Sequence, residues 1–237
     1  MWDPQMAFLA GAGFRLVRCD FRGYGETPMP DRPYNNAQDV ADVLDALGIE
    51  RAAMVASSGG GRVGLEIAAR WPARVTAMAL LNTAMAGHEP GPELRAFGER
   101  EDALLEVGDI DAATELNVQT WLGPHADEAT RAKVRQMQRH AFEVQLAVTG
   151  EVAPIRVGTD LSAITARTLL ISGAHDLPDF RQIAAILAER LSNARLIELD
   201  WAGHLPSLER PDVVNPLLLG FLSADSNADS DADGNAG

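Results

Sequence analysis

Basic charge is scarce in this sequence. Against 34 Asp and Glu there are 20 Lys and Arg, a formal net charge of −14. Nucleic acid and anionic membrane surfaces are recognised through positive charge, so neither is an expected partner. Cysteine is scarcer still. Cys19 stands alone, which excludes an intrachain disulfide and suits a reducing, cytoplasmic compartment. No apolar run reaches the roughly 18 to 20 residues that a membrane span takes. The opening residues MWDPQMAFLAGAG carry no basic stretch of the kind that begins a secretory signal. Large apolar residues stop at Leu222. The remaining stretch, SADSNADSDADGNAG, holds four aspartates and reads as a disordered acidic tail over 223–237.

The rest is ordinary for a globular protein with a substantial core: 46% of residues are hydrophobic and 23% charged. Strand and helix signals alternate. FRLVRCD (14–20), RAAMVAS (51–57), VTAMALLN (75–82), ARTLLISGA (166–174) and ARLIELD (194–200) are short apolar runs that predict buried strands. Between them, AQDVADVLDALG (37–48) puts Val40, Val43, Leu44 and Leu47 on one face and stops at a glycine. GRVGLEIAARWP (61–72), DFRQIAAILAERL (179–191) and VNPLLLGFL (214–222) complete the helices. Such alternation predicts a mostly parallel sheet with helices on both faces. From about 86 to 160 no strand is evident and the pattern is helical, a helical insertion between the third and fourth of these strands.

One stretch raises a chemical question. MVASSGGGRVG (54–64) leads from a strand through a glycine-rich turn into a helix. Gly59, Gly61 and Gly64 match the dinucleotide fingerprint G-x-G-x-x-G, but that motif needs an acidic residue at the end of the next strand to hold a ribose. That strand ends Leu81-Asn82-Thr83. Ala56-Ser57-Ser58-Gly59-Gly60 nearly matches the nucleophile elbow G-x-S-x-G instead. At an elbow the residues two before and two after the serine are small, because strand and helix approach closely. For Ser58 these are Ala56 and Gly60; for Ser57 they are Val55 and Gly59, and Val55 is β-branched and bulky. Ser58 is the better nucleophile on sterics, with the Gly59 N–H as an oxyanion donor. On this stretch alone a structural turn without chemistry remains open.

A serine needs a base, and the base an orienting acid. His88, His125 and His140 fall in or beside the helical insertion, and His175 comes just after the fourth strand. His204 lies in WAGHLPSLERPDVV, after the last strand. Ser58, Asp176 and His204 each sit just past the carboxyl end of a strand, where a parallel sheet gathers its ligand-binding loops, and they occur in the order Ser…Asp…His.

Four segments together, DFRGYGET (20–27), VASSGGG (55–61), ISGAHDLPDF (171–180) and AGHLPSLERPDVVN (202–215), resemble the landmark segments of the α/β-hydrolase fold family, in particular its enol-lactonase and carboxylesterase branch. The resemblance implies an α/β-hydrolase core over 1–85 and 161–222 with a cap over 86–160. It implies Ser58 as nucleophile, His204 as general base and Asp176 as its orienter, with Asp179 a weaker alternative. Some relatives carry the acid after the preceding strand, where this chain has Asn82 or Thr83. DFRGYG is in this family a structural turn braced by Arg22. The expected substrate is a small-molecule carboxylic ester or lactone, with no metal and no organic cofactor; use of peroxide by the same triad stays open. Trp121, Met85, Met137 and Phe142 are candidate pocket residues. In the family pattern further strands and a His-Gly loop, which supplies a second oxyanion N–H, come before the point matched by Met1. Relative to that pattern the chain is N-terminally truncated, and a strand that would lie between 14–20 and 51–57 has no counterpart. A non-catalytic binding protein that keeps the pocket is the alternative function, and a dinucleotide-binding domain a weaker one.

Overall fold

The computed structural model describes residues 1–148 and 152–233. In chain order the elements are α1 (Asp3–Gly11), α2 (Asn36–Ala46), β1 (Ala52–Ser57), α3 (Gly59–Arg70), β2 (Val75–Leu81), α4 (Pro92–Glu106), α5 (Ile110–Trp121), α6 (Glu128–Leu146), β3 (Arg167–Gly173), α7 (Pro178–Arg190), β4 (Ala194–Leu199), α8 (Pro206–Glu209) and α9 (Pro211–Asp233). The strands form one parallel sheet in the order β1-β2-β3-β4.

The two central strands are buried almost end to end, as their unbroken apolar sequences require once both faces are covered. Met78, Leu80 and Leu170 point to one face, where they meet Ala37 of α2, Val63, Leu65 and Ile67 of α3, and Ile183 and Leu187 of α7. Ala79, Leu81, Leu169 and Ile171 point to the other, against Val214 and Leu218 of α9. Burying each such leucine or isoleucine contributes about 1.5 to 3 kcal/mol. Helix α1 lies on α8 and α9, where Gln5 Nε2 donates to Asn215 Oδ1 (2.7 Å) and to the Ser207 carbonyl (2.9 Å). Helices α4, α5 and α6 stand between β2 and β3, as the helical pattern of 86–160 requires.

One expectation fails. Residues 14–20 form no strand. An apolar run becomes a strand by joining a ladder, and among the described residues no strand lies beside it; Val17 is 43% exposed. The outer edge of β1 likewise pairs with no strand among the described residues. The segments therefore neither pair directly nor flank a third strand. Helix α9 is drawn to Asp233, into the acidic stretch 223–237, and the last four residues of that stretch lie outside the described residues.

Candidate active site

Strand β1 carries two serines to the carboxyl edge of the sheet. Ser57 closes the strand and is buried. Ser58 follows with φ 52° and ψ −126°, a left-handed conformation that costs a non-glycine residue of order 1 to 3 kcal/mol. The turn is sewn to β2: the Ser58 N–H donates to the Leu81 carbonyl (3.1 Å), and the Ser58 carbonyl accepts from Gly61 (2.9 Å) and Ala84 (3.0 Å). Helix α3 begins at the next residue, so the Gly59 N–H sits at a positive helix end with no intrahelical acceptor.

The close approach of helix and strand is real but one residue displaced from the expectation. A Cβ on Gly60 would have 3.8 Å to its nearest neighbour, a ring carbon of Phe21. A Cβ on Gly61 would stand 2.7 Å from Thr83 Cβ and closer still to the Thr83 hydroxyl. Gly61, not Gly60, lets α3 start where it does.

Asp176 and His204 meet across the ends of β3 and β4. Asp176 Oδ2 lies 2.7 Å from His204 Nδ1, with both side chains buried. A carboxylate there accepts the Nδ1 proton and leaves Nε2 as the basic nitrogen. The other Asp176 oxygen accepts from the Leu177 N–H at 2.7 Å. The imidazole is wedged between aromatic rings, Phe180 at 4.2 Å and Trp121 at 4.6 Å between centroids. The His204 N–H donates to the Trp121 carbonyl (2.8 Å), so α5 touches the histidine through both main chain and ring.

Asn82 links the parts. It holds φ 43° directly after β2, its amide N–H donates to the Gly203 carbonyl (2.7 Å), and its Oδ1 accepts from Gly173 (2.9 Å). The position where some relatives carry the acid is here a neutral clamp between strand ends. Among the described residues neither the Ser58 hydroxyl nor His204 Nε2 has a hydrogen-bond partner; such bonds often tighten only with substrate in place.

Asp179 is taken up elsewhere. It accepts from His88 Nε2 (2.9 Å) and the Gly91 N–H (2.5 Å). Burial works against its charge, but those two partners hold its carboxyl below the usual range. His125 and His175 are exposed, with rings 6.5 Å apart, and His140 contacts the Gly25 carbonyl at 3.0 Å. Arg22 does brace the 20–27 turn, through a bidentate pair with Asp39 (2.7 and 2.8 Å). Of the four candidate pocket residues, Trp121 lies at the site. Met85 packs against the core beside α3, Met137 joins a cluster with Val118, Leu122, Val134 and Leu208, and Phe142 is buried. No group of three or more His, Cys, Asp or Glu among the described residues could hold a metal ion.

Sequence reasoning missed Phe180 and Glu209. Glu209 is 8% exposed, and its carboxylate accepts from Gly203 (3.0 and 3.1 Å), Gly123 (3.1 Å) and Leu205 (3.3 Å). A Glu five residues after the histidine, closing a four-residue helix, was visible but had no pattern of its own.

The comparisons with known proteins give the family. The profile of the alpha/beta hydrolase family matches residues 1–217. The chain belongs to that family. The hydrolase is 31% identical over 235 residues to a putative carbamate hydrolase, RutD, of Pantoea ananatis, with 93% of this chain and 82% of that one covered. A second protein of that name, from Variovorax paradoxus, is also 31% identical, over 94% of this chain and 86% of its own. Among solved structures, an enol-lactonase of Burkholderia xenovorans is 28% identical with a TM-score of 0.74, covering 94% and 85% of the two chains. A hydrolase of Pseudomonas aeruginosa is 30% identical with a TM-score of 0.74, over 94% of this chain and 84% of that one. The glycine run is the start of α3 in this hydrolase.

Proposed function

We propose that this hydrolase cleaves a small carboxylic ester or lactone through an acyl-enzyme on Ser58. The observation that carries the reading is the strained Ser58 elbow on the same sheet edge as a buried Asp176–His204 pair at 2.7 Å. His204 Nε2 takes the proton as the Ser58 oxygen attacks the carbonyl carbon. The oxygen that becomes negative is held by the Gly59 N–H at the start of α3. Collapse breaks the bond to the alkoxy oxygen, which leaves with the proton from His204. Water, deprotonated by His204, then attacks the acyl carbon; the bond to the Ser58 oxygen breaks, that oxygen takes the proton back from His204, and the carboxylic acid leaves and ionises. Asp176 holds the imidazole tautomer and offsets the positive charge it gains. The 86–160 helices act as a cap that brings Trp121 over the base.

A carbamate is a second reading, favoured by the name borne by the 31%-identical relatives. The same attack applies, with ammonia or an amine as leaving group. Fluorophosphonate labelling followed by mass spectrometry tests the shared step: an adduct on Ser58, lost in Ser58→Ala and retained in Ser57→Ala, is expected. Absence of any adduct overturns it and favours a non-catalytic binding protein. Turnover of p-nitrophenyl acetate, a γ-lactone and a simple carbamate by the labelling-competent protein then separates the substrates.

A further inference from the structure

The carboxylate of Glu209 sits in an unusual place for a charge. It is buried, and among the described residues no cation pairs with it. The neighbouring arginines are engaged elsewhere: Arg210 with Asp212 and Arg131 with the Gly123 carbonyl. Burial pushes the Glu209 carboxyl up, and the nearby Asp176 pushes it the same way. Three backbone N–H groups work against that, and they belong to Gly203, Leu205 and Gly123. Two of them flank His204. The third lies just past α5.

The contacts converge on the two peptides that flank Gly203. The Gly203 N–H is held by Glu209 and the Gly203 carbonyl by Asn82, while the next N–H, that of His204, is held by the Trp121 carbonyl. There is no room for slack. A Cβ on Gly203 would lie 2.8 Å from the Leu122 carbonyl carbon, and one on Gly123 would lie 2.6 Å from Glu209 Oε2 and 2.7 Å from the Gly203 nitrogen. Main chain from the helical insertion and main chain from the histidine loop are thus in direct contact, with Glu209 bonded to both.

Resting on the serine-hydrolase reading, we infer that Glu209 is a positioning residue that locks the end of α5 to the His204 loop, so that the insertion and the base move as one body. Both oxygens are needed. Oε1 accepts from Gly203 and Leu205, and Oε2 from Gly203 and Gly123. A glutamine of the same shape must turn its NH2 toward one of these donors, which breaks one arm of the lock. Binding beneath α5 then reaches the base without any contact to His204 itself.

The test compares wild type with Glu209→Gln on p-nitrophenyl acetate, with fluorophosphonate titration to count competent sites. Per competent site, kcat is expected to fall roughly tenfold or more while KM stays within about twofold, the pattern of a lost transition-state alignment. A variant that melts lower but keeps wild-type kcat per competent site overturns the inference and leaves Glu209 a structural acceptor only. If Glu209→Gln does not fold, Glu209→Asp is read instead. It keeps the carboxylate and loses reach, so a reduced kcat per competent site with KM held supports the lock, and an unchanged kcat refutes it. A wild type that neither labels nor turns over speaks against the serine reading, which is a separate failure.

Discussion

Replacing Gly61 by alanine tests the elbow directly. The added Cβ would stand 2.7 Å from Thr83 Cβ, so rotating the Thr83 side chain cannot relieve the clash, and 3.3 Å from the Thr83 Cα. Thr83 is itself buried, with its hydroxyl bonded to the Ala84 carbonyl at 2.9 Å. The start of α3 must therefore move away from the end of β2, or β2 must bend, by about 1 Å; overpacking of this kind costs about 1 to 3 kcal/mol. Ser58 and the Gly59 N–H stand at the point that moves, and a 1 Å misplacement of reacting groups costs on the order of 10²-fold in rate. Gly64→Ala is the internal control. Its Cβ would meet Leu80 and Ala56 at 3.7 and 3.8 Å, ordinary contact. Alanine in a helix interior gains about 0.5 to 1 kcal/mol over glycine. Urea unfolding and p-nitrophenyl acetate hydrolysis should show Gly61→Ala impaired in both and Gly64→Ala in neither. Thr83→Gly in the Gly61→Ala background should recover part of the loss, a favourable coupling in the double-mutant cycle. A Gly61→Ala protein that unfolds at the wild-type urea concentration and keeps its rate within about twofold refutes the steric argument.

Three further outcomes rest on the same geometry. Asp176→Asn leaves Nδ1 of His204 facing an amide and should lower kcat by on the order of 10³ to 10⁴, with little change in the thermal midpoint; equal activity would pass the acid role to another residue. Asp179→Asn should lower the melting temperature near neutral pH. Because its native carboxyl is held below the ordinary value, its contribution is present above about pH 4 and lost as pH falls further; the gap to wild type should narrow on acidification, and a constant gap would mean that charge plays no part. Gln5→Leu strands the buried Asn215 Oδ1 and Ser207 carbonyl, which should cost about 1 to 3 kcal/mol in chemical denaturation, and a neutral result would mean that water replaces the amide.

The parts of the architecture with a local signature were legible in the sequence. Helix α2 ends at Ala46, and Gly48 two residues on takes φ 63°, as its glycine stop suggests. The strands at 52–57, 75–81, 167–173 and 194–199 match their apolar runs to within a residue or two. Residues 14–20 have the same apolar character and no strand, because β pairing is decided by a neighbour that local composition does not reveal. In the site, the elbow and the Asp176–His204 pair could be read from position relative to strand ends. The tertiary brackets could not. Asn82 meets Gly203 across 121 positions of chain, and Glu209 meets Gly123 across 86. Nor could sequence tell that Gly61 carries the tight approach, since neighbouring glycines look alike until the helix is placed on Thr83.

The docking of α1 on α9 bears on how the chain is made. Gln5 finds its partners 202 and 210 positions later. At about 5 to 20 residues per second, the ribosome needs on the order of ten seconds or more to supply them. Through that interval α1 has no seat, the sheet face formed by Leu81, Leu169 and Ile171 has no cover, and the outer edge of β1 offers open main-chain groups beside it. That apolar face is therefore closed only once α9 has emerged.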